Sequence, residues 1–317
     1  FRWAVKKVAR MIDPRLIVLT ETELWPNFLN YAESAGVPVV IINGRISPSS
    51  YRSYRIIRNF FSRFTGAVKV FGMQSEEYRK RIIDLGVDAG KVVVSGNIKY
   101  DAIKIEKLSE TELRDLKSEI GLPPANKVIV GGSTHSGEEE ILIDIFLKMR
   151  KSYKDLSLII APRNIERAPS VNNLAKAKGL SAVLKTGLGE NKEFNYDVII
   201  LDTIGELSRI YAIADAVFVG KSLTASGGQN ILEPARWGKA VIFGPNMDNF
   251  VEEANALLEG RGAIQVSDAN GLELAVKELL EKPDQIEAIG RNAANVVERF
   301  RVGIIERNMS LVKENLE

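Results

Sequence analysis

Residues 216–245 read AVFVGKSLTASGGQNILEPARWGKAVIFGP. The runs at 216–220 and 240–245 are apolar and partly β-branched, without the alternation of a half-exposed strand. Such runs suit strands of a parallel sheet covered by helices on both faces. Between them lie two glycines, Asn230, Glu233 and an Ala-Arg-Trp run closed by Gly238, enough for a loop and one short helix. Strand, loop, helix and strand form the repeating unit of a doubly wound α/β domain.

The same unit recurs in both directions. RLIVLT (15–20), PVVIING (38–44), AVKVFG (67–72) and VVVSG (92–96) form a first set of strands. KVIVGGS (127–133), LSLIIAP (156–162), DVIILD (197–202) and a weaker AIQV (263–266) complete the second, giving about six strands, a full doubly wound sheet. The polar stretch 101–126, ending in Gly-Leu-Pro-Pro, separates the sets. The expected domains are therefore 1–110 and 111–317, with terminal helices from about residue 273 packing back on the first. The first set is the shorter. The opening FRWAVKKVARMIDP reads as a helix already in progress, so one or two βα units are expected to precede Phe1.

Composition narrows the function classes. The 317 residues are 45% apolar and 26% charged, ordinary for a globular protein. Cysteine is absent and His135 is the only histidine, which excludes disulfides, thiolate metal sites and histidine clusters. No apolar run approaches the ~18 residues of a membrane span. A net charge of +2 lacks the excess that nucleic-acid binding draws on, so no nucleic-acid partner is expected.

In parallel α/β domains ligands sit beyond the carboxyl ends of the strands. Ser226, Gly227 and Gly228 expose bare backbone before a helix, a candidate anion site. Asn230 and Glu233, three apart, share a helix face, and a carboxylate there can accept the two vicinal hydroxyls of a ribose. The residues alone equally allow a tight turn with Asn230 and Glu233 as local caps. Thr203 and Glu206 have the spacing of a capping box; the alternative sets Ile204, Gly205 and Glu206 against a nucleobase. Arg163, after Pro162 at a strand end, can pair with a phosphate or be a plain surface arginine. Ser133, Thr134 and His135 occupy the loop after KVIVGG, and Glu138–Glu140 reads as an acidic first helical turn.

In the first domain, Glu21 and Glu23 follow RLIVLT with matching strand parity, two carboxylates suited to sugar or acceptor contact, with Trp25 beside them. The stretch 44–66 carries Arg45, Arg52, Arg55, Arg58 and Arg63 without an acid, interleaved with Tyr51, Tyr54, Phe60, Phe61 and Phe64. It reads as a membrane-surface or anionic-acceptor face, or as a solvated basic face over a Phe-rich core side. The opening RWAVKKVAR is similar in character.

Nine stretches together carry a family resemblance: ETELWPN (21–27), GRIS (44–47), SGNIKYD (95–101), GSTHSGEEE (132–140), PRNIER (162–167), DTIGEL (202–207), FVGKSL (218–223), GGQNILEPA (227–235) and FGPNMDNF (243–250). In order and spacing they resemble the 3-deoxy-D-manno-octulosonic acid (Kdo) transferases of lipid A assembly, over essentially the whole chain. The resemblance implies the GT-B fold, two Rossmann-like α/β domains facing a cleft. It implies CMP-Kdo as donor and a lipid A precursor as acceptor. Transfer would be inverting, with no metal or other cofactor, in peripheral contact with the cytoplasmic face of a Gram-negative inner membrane.

On that resemblance Gly227 and Gly228 approach the CMP phosphate, Asn230 steadies that end of the donor and Glu233 takes the ribose. Ile204, Gly205 and Glu206 line the cytosine pocket, and Pro162 and Arg163 close over the nucleotide. Ser133, Thr134 and His135 face Kdo, Glu21 or Glu23 contacts sugar, and Lys99 lies near the hinge with Arg52 and Arg55 towards the acceptor. Glu21, Glu23 and Arg163 form the expected catalytic set. The family's usual GE loop, whose glutamate is taken as general base, is absent from these residues, so donor binding without normal transfer is expected of this chain alone. The family also tends towards Gly-Gly-Ser where this chain has Gly220-Lys221-Ser222, and towards PRHPER where it has PRNIER. The rival readings are another GT-B enzyme that uses a UDP-sugar, transferase or epimerase, and a nucleotide-binding scaffold without catalysis.

Overall fold

The structure is a computed structural model that describes residues 2–56, 58, 61, 65–101, 108–189 and 196–316. The chain divides into two compact units, Phe1–Ile103 with Phe300–Glu317, and Lys104–Arg299.

The first unit is a four-stranded parallel sheet with strands in chain order: β1 (Ile17–Thr20), β2 (Val39–Gly44), β3 (Val68–Met73) and β4 (Val92–Val94). Its core packs Val39, Ile41 and Phe71 of the sheet against Leu29, Phe61 and Ile82. Helix Pro26–Ala35 starts with proline, whose missing N–H has no intrahelical partner at that position, and stops at Gly36 with φ +68. The last helix, Ile304–Glu314, belongs to this unit although about 200 residues separate it from β4. Polar groups hold it there. Asn308 Nδ2 donates to the carbonyls of Ser95 (3.3 Å) and Ile304 (2.8 Å), and its Oδ1 accepts the N–H of Asn43 (3.3 Å). Asn43 in turn accepts the Ile98 N–H (3.0 Å) and lies at φ +55, a conformation asparagine tolerates.

The second unit has seven parallel strands: β5 (Lys127–Thr134), β6 (Leu156–Pro162), β7 (Ala182–Leu184), β8 (Val198–Ile200), β9 (Ala216–Val219), β10 (Ala240–Phe243) and β11 (Ala263–Gln265). Their order is β11-β10-β9-β5-β6-β8-β7. The chain runs outward from β5 on one side and returns to β9 on the other. The topological switch point therefore lies between β5 and β9, where a ligand crevice is expected. The sheet is buried on both faces, with Leu158, Ile160, Val198, Phe218 and Ile242 in one core with Ile143 and Phe146.

Three features differ from the sequence reading. β7 is an additional strand, whose three residues at the sheet edge are too few for a periodic signal. The polar stretch before β5 contains a helix, Glu110–Glu119, opened by a reciprocal capping box between Ser109 and Glu112. The helix after the two glycines is a single turn, Leu232–Ala235, and begins four residues past Gly228.

Candidate active site

Loops from the carboxyl ends of β5, β6 and β9 meet in the second unit, and the loop after β8 lies at the same end of the sheet. A buried carboxylate organises two of them. Glu138, with no exposed surface, accepts the backbone N–H groups of His135 (2.7 Å) and Lys221 (2.7 Å) on Oε2. Its Oε1 accepts those of Ser222 (3.1 Å) and Leu223 (3.0 Å). Both lone-pair faces of the carboxylate are filled by donors, the condition under which a buried charge is tolerable. The loops after β5 and β9 are thus tied at the switch point. Ser133 near the end of β5 (φ +51) and Lys221 in the loop after β9 (φ +55) are side-chain-bearing residues in left-handed conformation. Glu139, also buried, accepts Thr134 Oγ1 (3.0 Å) and two bonds from Arg167 (2.6 and 3.1 Å), which joins the loop after β6.

The glycine loop is held from a second side. Gly227 donates its N–H to Asp248 (3.1 Å), and Gly228 donates to the Lys221 carbonyl (2.9 Å). Asn249 donates to the Gly227 carbonyl (3.0 Å), and Gly244 donates to Ser222 Oγ (2.9 Å). Gly227 (φ +109) and Gly228 (φ +67) are required here: a Cβ on either would fall within 3 Å of Asn249 or Met247. The expectation of free N–H groups at a helix start is corrected on both counts. Those N–H groups are bonded internally, and one helical turn sums too few peptide dipoles to act as a macrodipole.

Asn230 and Glu233 do face each other. Asn230 Nδ2 donates to Glu233 (3.3 Å), and Asn230 Oδ1 accepts the Leu232 N–H (3.1 Å), so the amide caps the turn and also holds the carboxylate. Burial raises the Glu233 pKa, and the neighbouring Arg236, the Asn230 bond and Arg163 only partly offset it. A ligand donating hydroxyls to Glu233 would supply what solvent does not. Tyr211 lies beneath, its phenol pushed up by burial and by Glu233. Its hydroxyl would stand 2.0 Å from a Cβ at residue 132, so Gly132 is bare to admit the ring.

On the β8 loop Ile204 is 88% exposed, unusual for an isoleucine, and Gly205 follows at φ +88. The capping box expected at Thr203 and Glu206 does not form. The helix starts at Leu207 with Glu206 as its cap residue, and no side chain caps it. Glu206 pairs instead with Lys185 and accepts the Thr203 hydroxyl. Burial pulls its carboxyl up, but those bonds, with Lys185 and Arg209 charges nearby, outweigh it and hold the pKa below the ordinary value. Pro162 is buried at the end of β6 and Arg163 is exposed, its N–H on the Thr134 carbonyl (3.0 Å). Thr134 is turned inward, while His135 and Ser226 are exposed.

In the first unit, strand parity does not extend to Glu21 and Glu23. β1 ends at Thr20 and Glu21 takes φ +61, so the chain turns before either carboxylate. Glu21 pairs with Arg45 (3.5 Å), and Glu23 accepts Trp25 Nε1 (3.0 Å). Trp25 is 66% exposed and fills no core. Arg52 and Arg55 are exposed on helix Pro48–Ile56, as is Lys99 on its own turn. Tyr51 donates to Asp84 (2.5 Å), and Tyr54 packs against the buried Phe61. Phe60, Arg63 and Phe64 lie outside the described residues. Helix Arg2–Ile12 exposes Trp3, Val8, Met11 and Ile12 among Lys6, Lys7 and Arg10. Among the described residues no helix is long and apolar enough to cross a membrane, and no cluster of acids and histidine has the geometry of a metal site.

Glu138 and Glu139 are legible in the sequence only as an acidic turn and Lys221 only as a departure from a family pattern, while Arg167, Tyr211 and Asp248 are not singled out, although Arg167 and Asp248 lie within PRNIER and FGPNMDNF.

The chain is similar to several known proteins. A family model described as 3-deoxy-D-manno-octulosonic-acid transferase (kdotransferase) matches residues 1–102. A 3-deoxy-D-manno-octulosonic acid transferase of Haemophilus influenzae is 32% identical over 99% of this chain and 73% of its own length. A bifunctional glycosyltransferase/methyltransferase of Fusobacterium nucleatum is 34% identical over 90% of this chain, which spans 44% of that protein. Among solved structures, the C-terminal CMP-Kdo binding domain of WaaA from Acinetobacter baumannii superposes with a TM-score of 0.55 at 25% identity, over 60% of this chain and 98% of that domain. Anabaena Alr3699/HepE in complex with UDP superposes at 0.65 and 18% identity, over 98% of this chain and 81% of that one, and shares the two-domain α/β fold.

Proposed function

Because this chain belongs to the 3-deoxy-D-manno-octulosonic acid transferase family, we propose that it transfers Kdo from CMP-Kdo to a lipid A precursor, with inversion at the anomeric carbon and without a metal. The observation that carries the donor assignment is Glu233. It is a mostly buried carboxylate held by Asn230, with Arg163 and Arg236 close enough to act on its charge, beside the switch point of the sheet. In this reading Glu233 receives the ribose hydroxyls. Ile204, Gly205 and Glu206 border the cytosine, and Pro162 and Arg163 cover the phosphate side. Ser133 and His135 are assigned to the Kdo moiety, with Thr134 supporting them from inside.

As the bond from the anomeric carbon to phosphate breaks, the sugar gains oxocarbenium character and the departing CMP gains negative charge. Arg163, exposed at the end of β6, is the proposed stabiliser of that charge. An acceptor hydroxyl attacks the opposite face and loses its proton to a carboxylate. Glu21 and Glu23 are the proposed sugar-contacting acids. Arg52, Arg55 and Lys99 are assigned to the anionic acceptor. Helix Arg2–Ile12, with exposed Trp3, Met11 and Ile12 beside Lys6, Lys7 and Arg10, is assigned to peripheral contact with the inner membrane.

The test is calorimetric titration with CMP and UDP in parallel. CMP is expected to bind more tightly than UDP, and Glu233→Ala to weaken CMP by roughly tenfold or more, the scale of losing hydrogen bonds to a charged acceptor. Preference for UDP would replace this reading by that of a UDP-sugar enzyme.

A further inference from the structure

Lys221 is a lysine at a backbone position suited to glycine, and three observations make that informative. Its backbone is left-handed, φ +55, where side chains are disfavoured and glycine is at ease. That backbone is pinned at both ends: its N–H donates to the buried Glu138 (2.7 Å), and its carbonyl accepts the Gly228 N–H (2.9 Å). The Cα–Cβ direction is thereby set, and in the structure Nζ stands 3.5 Å from the point where a Cβ on Gly227 would be. Among the described residues no carboxylate pairs with that ammonium group and no acceptor takes it up.

The glycine loop itself cannot supply the charge. The N–H groups of Gly227 and Gly228 are already given to Asp248 and to Lys221. Gly227 is buried, and the Asn249 amide and the Lys221 ammonium lie over it, so an anion approaching the loop from outside would meet those side chains rather than free backbone amides. We propose that Lys221 is a donor-binding residue that reads the phosphate of the nucleotide beside the glycine loop, a task a glycine at 221 would have no side chain to perform. The inference rests on the reading of this site as one for a CMP-sugar.

The experiment compares CMP with cytidine, which differ by the phosphate, on the intact chain and on Lys221→Gly and Lys221→Arg. The wild type is expected to prefer CMP, and that preference to fall as salt is raised. Lys221→Gly should weaken CMP roughly tenfold or more, as befits a charge-assisted bond, and leave cytidine unchanged. Its melting temperature should not fall, because glycine suits the conformation. Lys221→Arg should keep most of the preference. If Lys221→Gly binds CMP as the wild type does, or loses CMP and cytidine equally, the proposal is overturned while the nucleotide site stands. If the wild type binds neither, the donor-site reading fails and the proposal falls with it.

Discussion

Three consecutive glutamates show what a single position can decide. Glu138 is enclosed by backbone N–H groups, Glu139 is bonded to Thr134 and Arg167, and Glu140 is exposed with Lys178 at 3.2 Å. The sequence reading, an acidic first turn favoured by the helix dipole, applies to all three alike. It could not separate them, because their partners come from loops distant in sequence. Glu138→Ala leaves at least four N–H groups of two loops without their acceptor. It is expected to destabilise the second unit by about 3 kcal/mol or more in urea, with Glu138→Gln intermediate, since one oxygen remains. A loss below about 0.5 kcal/mol would mean that water replaces the carboxylate at no cost. Glu253 offers a test by pH. Burial raises its carboxyl from 4.5 to about 7. The folded state then holds a proton that the unfolded state has released, so the stability it contributes is present below 4.5 and lost as pH rises through about 7. Glu253→Gln should flatten that fall and gain up to a few kcal/mol relative to wild type at pH 8, but not at pH 4. Parallel pH profiles for the two proteins would contradict it.

At the scale of elements, ten of the eleven strands announce themselves as short apolar runs, because inner strands of a parallel sheet are buried on both faces, and the edge strands β1, β4 and β11 stay largely apolar although they have exposed positions. β7 escaped because three residues at an edge carry no period. The single turn Leu232–Ala235 and the missing cap at Thr203 were opaque for another reason. Both depend on where neighbouring loops place Asp248 and Lys185, which local spacing does not encode. Glu233 was legible as chemistry; its burial and its relation to Arg163 were not. The helix Ile304–Glu314 has a sharper signature in structure than in sequence, since one asparagine, Asn308, satisfies Ser95 and Asn43 in the first unit. Asn308→Ala strands the buried N–H of Asn43 and leaves the Ser95 carbonyl with only the Arg307 Nε bond (3.4 Å). It should cost the first unit about 2–3 kcal/mol in a denaturant melt, while the unfolding of Lys104–Arg299 stays where it was. Equal destabilisation of both units would contradict that placement.

For the molecule as a whole, the second unit is proposed to carry a CMP-sugar site at the crevice between β5 and β9. The strand order turns there, the two loops share one buried carboxylate, and Glu233, Arg163 and the exposed Ile204 lie on loops beyond the same ends of the sheet. A site made in this way draws on residues from 133 to 249, so it is recognised only when the fold brings those loops to one edge. Hydrogen exchange with and without CMP tests this most directly. Exchange in residues 203–207 and 221–233 should slow with CMP, much less with UDP, and the CMP effect should be lost in Glu233→Ala. Protection confined to other segments, or equal protection by UDP, would contradict it.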